Sequence, residues 1–275
     1  MIIKNGTIYD AVNKEPYVAD ILVEDGKIKA IGKDIKADGE VIDATGKNIY
    51  PGFVEAHCHI GICARAGQGK VGSDHNEGMD PVTPHLRGID GIDPSDENFA
   101  HARKGGVTTV CTGPGSANVI GGTFLTMKTV GNCVDTMVVE NNVAMKCAFG
   151  ENITNRYGSK SISSRMTIAG VFRETLAKAN RYKNAIDLAN GDESKYPAFD
   201  AKLHALLPVM RGEMPLKAHA HQANDIFTAI RIAKEFGVKL TLEHVTEGHL
   251  IAEELGAEGY MVAVGPSMTH ASKYE

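Results

Sequence analysis

The sequence predicts an α/β protein: a small antiparallel β-unit, then parallel strands joined by crossover helices that stop one strand short of an eight-stranded barrel. Three observations carry this. The first 50 residues hold short alternating runs broken by turn signals, from Asn48 the order becomes strand, loop and helix in repetition, and seven candidate strands follow that change.

In the first segment the runs are Met1-Ile2-Ile3, Thr7-Ile8-Tyr9, Asp20-Ile21-Leu22-Val23, Lys27-Ile28-Lys29-Ala30-Ile31 and Glu40-Val41-Ile42. Asn5-Gly6, Asp25-Gly26 and Thr45-Gly46 supply turns, and Asp25-Gly26 is a strong hairpin signal because such a turn wants positive φ. Strands this short bury little by themselves and need something to pack on. Later strands are expected at Phe53–His59, Val107–Thr112, Thr123–Lys128, Val143–Phe149, Leu216–His221, Lys239–Val245 and Tyr260–Val264. Helices are expected at Asp96–Lys104, Ile168–Asn190, Ala223–Phe236 and His249–Leu255. In the third of these, Ile226, Ile230, Ala233 and Phe236 recur at helical spacing and Gly237 stops the turn.

Composition narrows the function classes. With 275 residues, 43% hydrophobic and 23% charged, the chain can fill one large core or two unequal ones, which excludes a disordered or fibrous protein. Lys and Arg number 29 against 34 Asp and Glu, a net charge of -5 without long same-sign runs, so no basic field exists to gather nucleic acid. No apolar run reaches the roughly 18 residues of a membrane span, and Met1-Ile2-Ile3-Lys4 leads into a polar turn rather than a signal-peptide core. A cytoplasmic location is expected. The five cysteines are scattered with no C-x-x-C pair, which fits reduced thiols.

The histidines cluster at strand ends. Pro51-Gly52-Phe53-Val54-Glu55-Ala56-His57-Cys58-His59 places two imidazoles at i and i+2, on one face of a strand. Leu216-Lys217-Ala218-His219-Ala220-His221 repeats the pattern, and Leu240-Thr241-Leu242-Glu243-His244 ends a third strand in one histidine. A core histidine satisfied by a backbone carbonyl is the commoner fate of any single member, but three such strand ends point to a metal. Imidazole nitrogen suits Zn, Fe, Mn or Ni, so the residues leave the identity of the metal open. Mixed sites for hydrolysis add an oxygen ligand. Glu151, emerging just after Val143–Phe149, is the preferred one, and Lys146 on that strand competes because a lysine carbamate can bridge two ions. Most of His75, His85, His101, His204, His249 and His270 read as surface. The loop Thr112-Gly113-Pro114-Gly115-Ser116-Ala117-Asn118 reads as a pocket wall or a plain turn, and Arg211 as solvated surface more than as a partner for a substrate carboxylate.

Taken together, the short N-terminal sheet, the Pro-Gly-x-x-Glu-x-His-x-His run and the histidines at 219 and 244 make the chain resemble the amidohydrolase superfamily, closest to imidazolonepropionase and related amidohydrolases. The likeness runs from Ile28-Lys29-Ala30-Ile31-Gly32 and Val41-Ile42-Asp43-Ala44-Thr45-Gly46 to Lys217-Ala218-His219-Ala220-His221. It implies a (β/α)8-type TIM barrel over residues 51–275, incomplete after strand seven, with a small N-terminal β-sandwich part over residues 1–50 normally completed by the other chain end. It also implies that His57, His59 and His219 bind metal, that His244 binds a second ion or contacts substrate, and that His221 and Gln222 face the substrate. His244 and His221 are the catalytic candidates. The partner implied is a small molecule, with neither nucleic acid nor membrane, and a homo-oligomer is compatible with the frequent pairing of family members.

Two departures from the family pattern stand out. Glu55 replaces the usual Asp of the first motif and, lying a strand-step deeper than His57, is expected to orient ligands. The essential Asp at the end of strand eight has no counterpart, because the sequence stops at Ala271-Ser272-Lys273-Tyr274-Glu275, so a fragment of a longer protein is expected. The implied activity is hydrolysis of a non-protein C–N bond, in a cyclic amide such as an imidazolone or in a dipeptide-like amide. A divalent ion acidifies the attacking water from 15.7 toward roughly 7. The alternatives are a metal-binding but catalytically silent chain lacking the proton shuttle, and a barrel lyase or isomerase that uses the metal only as a Lewis acid.

Overall fold

The computed structural model describes residues 1–63 and 74–266. The chain divides into two units, Met1–Phe53 and Val54–Glu275. In the first, β1 (Ile2–Ile8), β2 (Tyr17–Glu24), β3 (Lys27–Gly32), β4 (Val41–Asp43) and β5 (Asn48–Ile49) form one sheet, ordered β3-β2-β1-β4, with β5 also paired to β1. A second, facing layer of a sandwich is not among the described residues.

The Asp25-Gly26 hairpin is present, with φ of 50° and 72° at its two turn residues and Glu24 opposite Lys27. Two expectations need correction. Met1-Ile2-Ile3 and Thr7-Ile8-Tyr9 are one strand rather than two, because Asn5-Gly6 makes a bulge instead of a turn. Asn5 has φ 60° and its N–H donates to Asp20 Oδ1 at 3.0 Å, while a Cβ on Gly6 would lie 2.2 Å from Ile49, so the glycine is needed for close approach. The sheet is also not purely antiparallel, since β1 runs parallel to β4 and β5.

The second unit holds β6 (Phe53–Cys58), β7 (Val82–Arg87), β8 (Val107–Thr112), β9 (Ile120–Lys128), β10 (Val138–Ala148), β11 (Leu216–Ala220), β12 (Leu240–His244) and β13 (Met261–Val264). Their order is β13-β12-β11-β10-β9-β8-β6, with β7 on β9. All seven expected strands are found, but not all are parallel: β8–β9 and β9–β10 run antiparallel. The connection at 113–119 is too short for the dozen or so residues a parallel crossover takes, and 129–137 holds only a single helical turn. The strand β7 escapes the sequence pattern because Pro84 interrupts it, and its pairing to β9 slips between Val82 and Leu86.

The helices are α1 (Glu97–Lys104), α2 (Val134–Met137), α3 (Glu151–Tyr157), α4 (Arg165–Leu188), α5 (Ala201–Ala205), α6 (Leu207–Met210), α7 (Ala223–Phe236) and α8 (Ala252–Glu258). The helix α7 has its expected bounds and buries Ile226, Ala229, Ile230 and Ala233 in the large core that also holds Leu216, Ala218, Leu240 and Leu242. The helix expected at His249–Leu255 is instead a 3-10 segment over Thr246–Ile251 followed by α8. Among the described residues no helix is long and apolar enough to cross a membrane.

Curvature of this sheet brings distant strands together. Between β12 and β6 lie five interstrand steps of about 4.8 Å, so a flat sheet would separate them by about 24 Å. Instead His57 Nδ1 on β6 lies 3.1 Å from Glu243 Oε2 on β12. The sheet therefore curls into a nearly closed barrel, and its interior receives the side chains of both ends.

Candidate metal centre

Three strand ends deliver histidines to one place. His57 lies 5.2 Å from His59 and 5.0 Å from His244 between ring centroids, His219 lies 4.6 Å from His244 and 4.5 Å from His221, and His221 stacks on His244 at 5.1 Å. Imidazoles bound tetrahedrally at the roughly 2.0–2.1 Å of a Zn–N bond have centroids about 5 Å apart. Neighbouring rings stand close to that spacing, but among the described residues no group of three His, Cys, Asp or Glu side chains is placed to hold a metal ion.

In three of the five rings Nδ1 meets an oxygen, a contact that fixes the ring's orientation. His59 Nδ1 lies 2.8 Å from the Gly113 carbonyl oxygen, His244 Nδ1 2.6 Å from that of Gly265, and His221 Nδ1 2.6 Å from Thr246 Oγ1. His57 turns Nδ1 to 3.1 Å from Glu243 Oε2, an ion-pair contact, and its Nε2 is buried without a hydrogen-bond partner among the described residues. A buried lone pair with no proton to meet is costly unless a cation fills the space. The chemistry of these donors, neutral imidazoles with a buried unmet nitrogen, suits a divalent metal, while their positions do not form a three-ligand group among the described residues.

Burial lowers the His57 imidazole to about 4, against the hydrogen bond to Glu243, and lowers His59 to about 3, with the Lys146 charge adding to the effect. Both rings are neutral ligands at pH 7. Burial alone would raise Glu243, but the His57 hydrogen bond and the Lys217 charge hold it down to about 2. Because free imidazoles titrate near 6.5, the unfolded chain takes up more protons than the folded one as the pH falls from about 6.5 to 4. Metal-free protein is expected to lose stability across that window, by up to about 1.4 kcal/mol per pH unit for each ring, with Glu243 adding its own loss below about 4.5. Urea midpoints measured in chelator from pH 7 to 4 check this; a flat profile contradicts it.

The backbone at the end of β12 explains how neighbours in sequence share one site. His244 and Val245 have φ of 73° and 49°, a left-handed pair that includes a β-branched residue and costs about 1–2 kcal/mol per residue. Simple alternation would put Glu243 and His244 on opposite faces; the turn lets both reach His57.

The loop after β8 is a wall of the site. The Gly113 carbonyl holds His59, and a Cβ on Gly113 would lie 2.4 Å from the fully buried Phe124 ring. Gly113→Ala is expected to destabilise the protein by about 1–3 kcal/mol through that overlap and to weaken metal binding by moving the carbonyl, measured by urea unfolding and chelator competition. His75, expected at the surface, lies 6.1 Å from His59 between centroids and borders a cavity of about 250 Å³ with Thr83, Pro114 and Asn118.

The remaining expectations divide. Glu55 is exposed, and its Oε1 accepts from the backbone N–H of His57 at 2.9 Å, so its hydrogen bond here is to the strand backbone and not to an imidazole ring. Glu151 opens α3, and its Oε1 accepts from Asn155 Nδ2 at 3.1 Å. Lys146 is fully buried with Nζ 5.8 Å from the Phe124 ring centre, and Phe124 stacks on His57 at 5.5 Å. Gln222 precedes α7 as its N-cap residue. Arg211 pairs with Asp187 at 3.1 Å, as a surface charge. His85, His101 and His249 are exposed, His204 sits beside Tyr182 and Phe199, and His270 lies outside the described residues.

Three-dimensional likeness agrees with this geometry. A solved amidohydrolase from Thermotoga maritima MSB8 superposes with a TM-score of 0.93 at 40% identity, covering 99% of this chain and 72% of that one. The chain belongs to the amidohydrolase family. The amidohydrolase tasK of Hapsidospora irregularis is 29% identical over 266 residues, 87% of this chain and 27% of tasK. A dihydroorotase of Thermoanaerobacter sp. (strain X514) is 57% identical over 61 residues, 22% of this chain and 14% of the enzyme. These relatives are hydrolases of C–N bonds, and the chain spans about a quarter or less of the length of the two curated ones. No protein-family model matches it.

Sequence reasoning passed over three members of this amidohydrolase site. Lys217 shares a strand face with His219 and His221, so the period that found the histidines points to it as well. Glu243 is hidden by its position next to His244, on the other face of a regular strand. Asn152, whose Nδ2 lies 3.1 Å from His219 Nε2, has no sequence signal beyond adjacency to Glu151.

Proposed function

We propose that the chain carries the metal centre of a cytoplasmic hydrolase that opens a C–N bond in a small cyclic amide, an imidazolone-like ring first and a dipeptide-like amide second. The observation that carries this is the convergence of His57, His59, His219, His221 and His244 from three strand ends, with Nδ1 of three of the rings on an oxygen and that of His57 in ion-pair contact with Glu243. A dihydroorotase among the relatives favours a cyclic substrate. Five free thiols suit a reducing compartment.

His57, His59 and His219 would hold one divalent ion, zinc ahead of Fe, Mn or Ni, and His244 a second. Glu151, or Lys146 as a carbamate formed from its ammonium and carbon dioxide with release of two protons, would supply the oxygen ligand; Lys146 is fully buried against Phe124, the ring that stacks on His57. When bound, the metal supplies an acidified water and polarises the amide carbonyl. The chain's own residues orient the parts. Asn152 holds the His219 ring, Gly113 holds His59, and a Thr246 hydroxyl donating to Nδ1 of His221 leaves its Nε2–H to donate to the developing oxyanion.

The test is metal analysis of protein purified without chelator, followed by assays on imidazolones, hydantoins, dihydropyrimidines and dipeptides in ¹⁸O-water. Bound metal with label in a ring-opened product is expected. Absence of metal overturns the proposal, turnover without label indicates a lyase or isomerase, and metal without turnover favours the catalytically silent reading.

A further inference from the structure

We infer that Lys217 and Glu243 form a buried ion pair that positions His57, holding the ring so that Nε2 is the nitrogen presented to the metal centre. The inference rests on the metal-binding reading above and adds to it two residues outside the histidine cluster.

The pair has a clear division of labour. Glu243 is 1% exposed and Lys217 6% exposed, on neighbouring strands of the barrel interior. Oε1 of Glu243 accepts from Lys217 Nζ at 2.8 Å and from Thr241 Oγ1 at 3.0 Å. That leaves Oε2, 3.1 Å from His57 Nδ1, to face the ring N–H. With Nδ1 turned to the carboxylate, Nε2 lies on the other side of the ring, buried and without a hydrogen-bond partner among the described residues. A carboxylate behind a ligating imidazole fixes its tautomer and raises its basicity.

Position in the barrel explains why this histidine needs such a holder. His59 and His244 reach carbonyl oxygens of the loop after β8 and of the chain just beyond β13. His57 instead sits on β6, whose early residues Phe53 and Val54 are 56% and 66% exposed, at the end of the sheet order. Glu243 reaches it from β12 across the closing gap, so the contact also ties the two ends of the sheet. Lys217 fixes the carboxylate's rotamer through a bond separate from the one to the ring, and its Nζ lies 5.6 Å from the centre of Phe124, the ring that stacks on His57. The imidazole is thereby held in its plane from one side and along its Nδ1 axis from another.

The test uses the full chain with ¹⁵N-labelled histidine. In metal-free protein the His57 ring, assigned by its loss in His57→Asn, is expected as the Nδ1–H tautomer. In the double variant Lys217→Met/Glu243→Leu, which removes both charges, that tautomer is lost and zinc affinity measured by chelator competition falls about 10- to 100-fold. Glu243→Gln, whose amide oxygen can still accept from Nδ1–H, is expected to keep the tautomer and to recover part of the affinity, which a merely structural role for the pair would not produce. Should the double variant prove unfolded, Lys217→Met alone is expected to broaden the His57 signals by freeing the carboxylate. A folded variant with the wild-type tautomer and affinity overturns the inference. Wild-type protein that binds no zinc overturns the proposed function instead, while the tautomer measurement still decides the role of the pair.

Discussion

Replacing His57 by Ala is expected to strip the protein of bound divalent metal and to lower hydrolysis by at least about a thousandfold, about 4 kcal/mol of transition-state stabilisation. The size follows from the position of the ring. It is the one imidazole that contacts His59, His244, the Phe124 face and the Glu243 carboxylate together. Loss of the ring removes a ligand and uncouples the two ends of the barrel sheet. The comparison is with His101→Ala, an exposed histidine of α1 that should leave metal content and rate unchanged. Metal content measured by mass spectrometry decides the matter: a His57→Ala protein with wild-type metal rules out the site as drawn.

Glu243→Leu is expected to destabilise the protein by about 3–5 kcal/mol, because it leaves the Lys217 ammonium buried without its carboxylate. Such a loss is a large part of the 5–15 kcal/mol that holds a typical domain folded. Most of it should return in Lys217→Met/Glu243→Leu, where two apolar side chains of similar volume replace the ion pair. Denaturant unfolding of the wild type, Lys217→Met, Glu243→Leu and the double variant measures the coupling. Equal stability of the single and double variants would show that the cost lies in lost packing at 243, not in an uncompensated charge. This cycle and the tautomer measurement separate two contributions of one carboxylate, stability through Lys217 and orientation through His57.

Local pattern was enough for several elements. The Asp25-Gly26 turn, the bounds of α7 and the positions of all seven expected strands follow from short-range chemistry: positive φ at a tight turn, one apolar stripe on a helix, apolar runs closed by turn residues. The histidine pairs were equally legible, because an i, i+2 spacing fixes a shared strand face whatever the neighbours are. Strand direction was not legible. Whether 113–119 could hold a crossover depends on its length against the geometry of the partner strand, and β7 was concealed by Pro84, which a strand accepts only where the ladder slips. Asn5-Gly6 shows the same ambiguity from the other side, since the pair suits a turn and a bulge alike until Asp20 and Ile49 are in place.

What the sequence determined by itself is the set of candidate ligands and the strand ends that carry them, since side-chain identity and period are local properties. Tertiary structure alone decided which of those groups meet. His57 and Glu243 are far apart in the chain and five strands apart in the sheet order, and only the curl of the sheet places them 3.1 Å from each other. Only the left-handed turn at His244 and Val245 brings Glu243 and His244 to the same ring. Both depend on closure of the barrel, a property of the summed twist and packing of many strands that no single stretch of residues encodes.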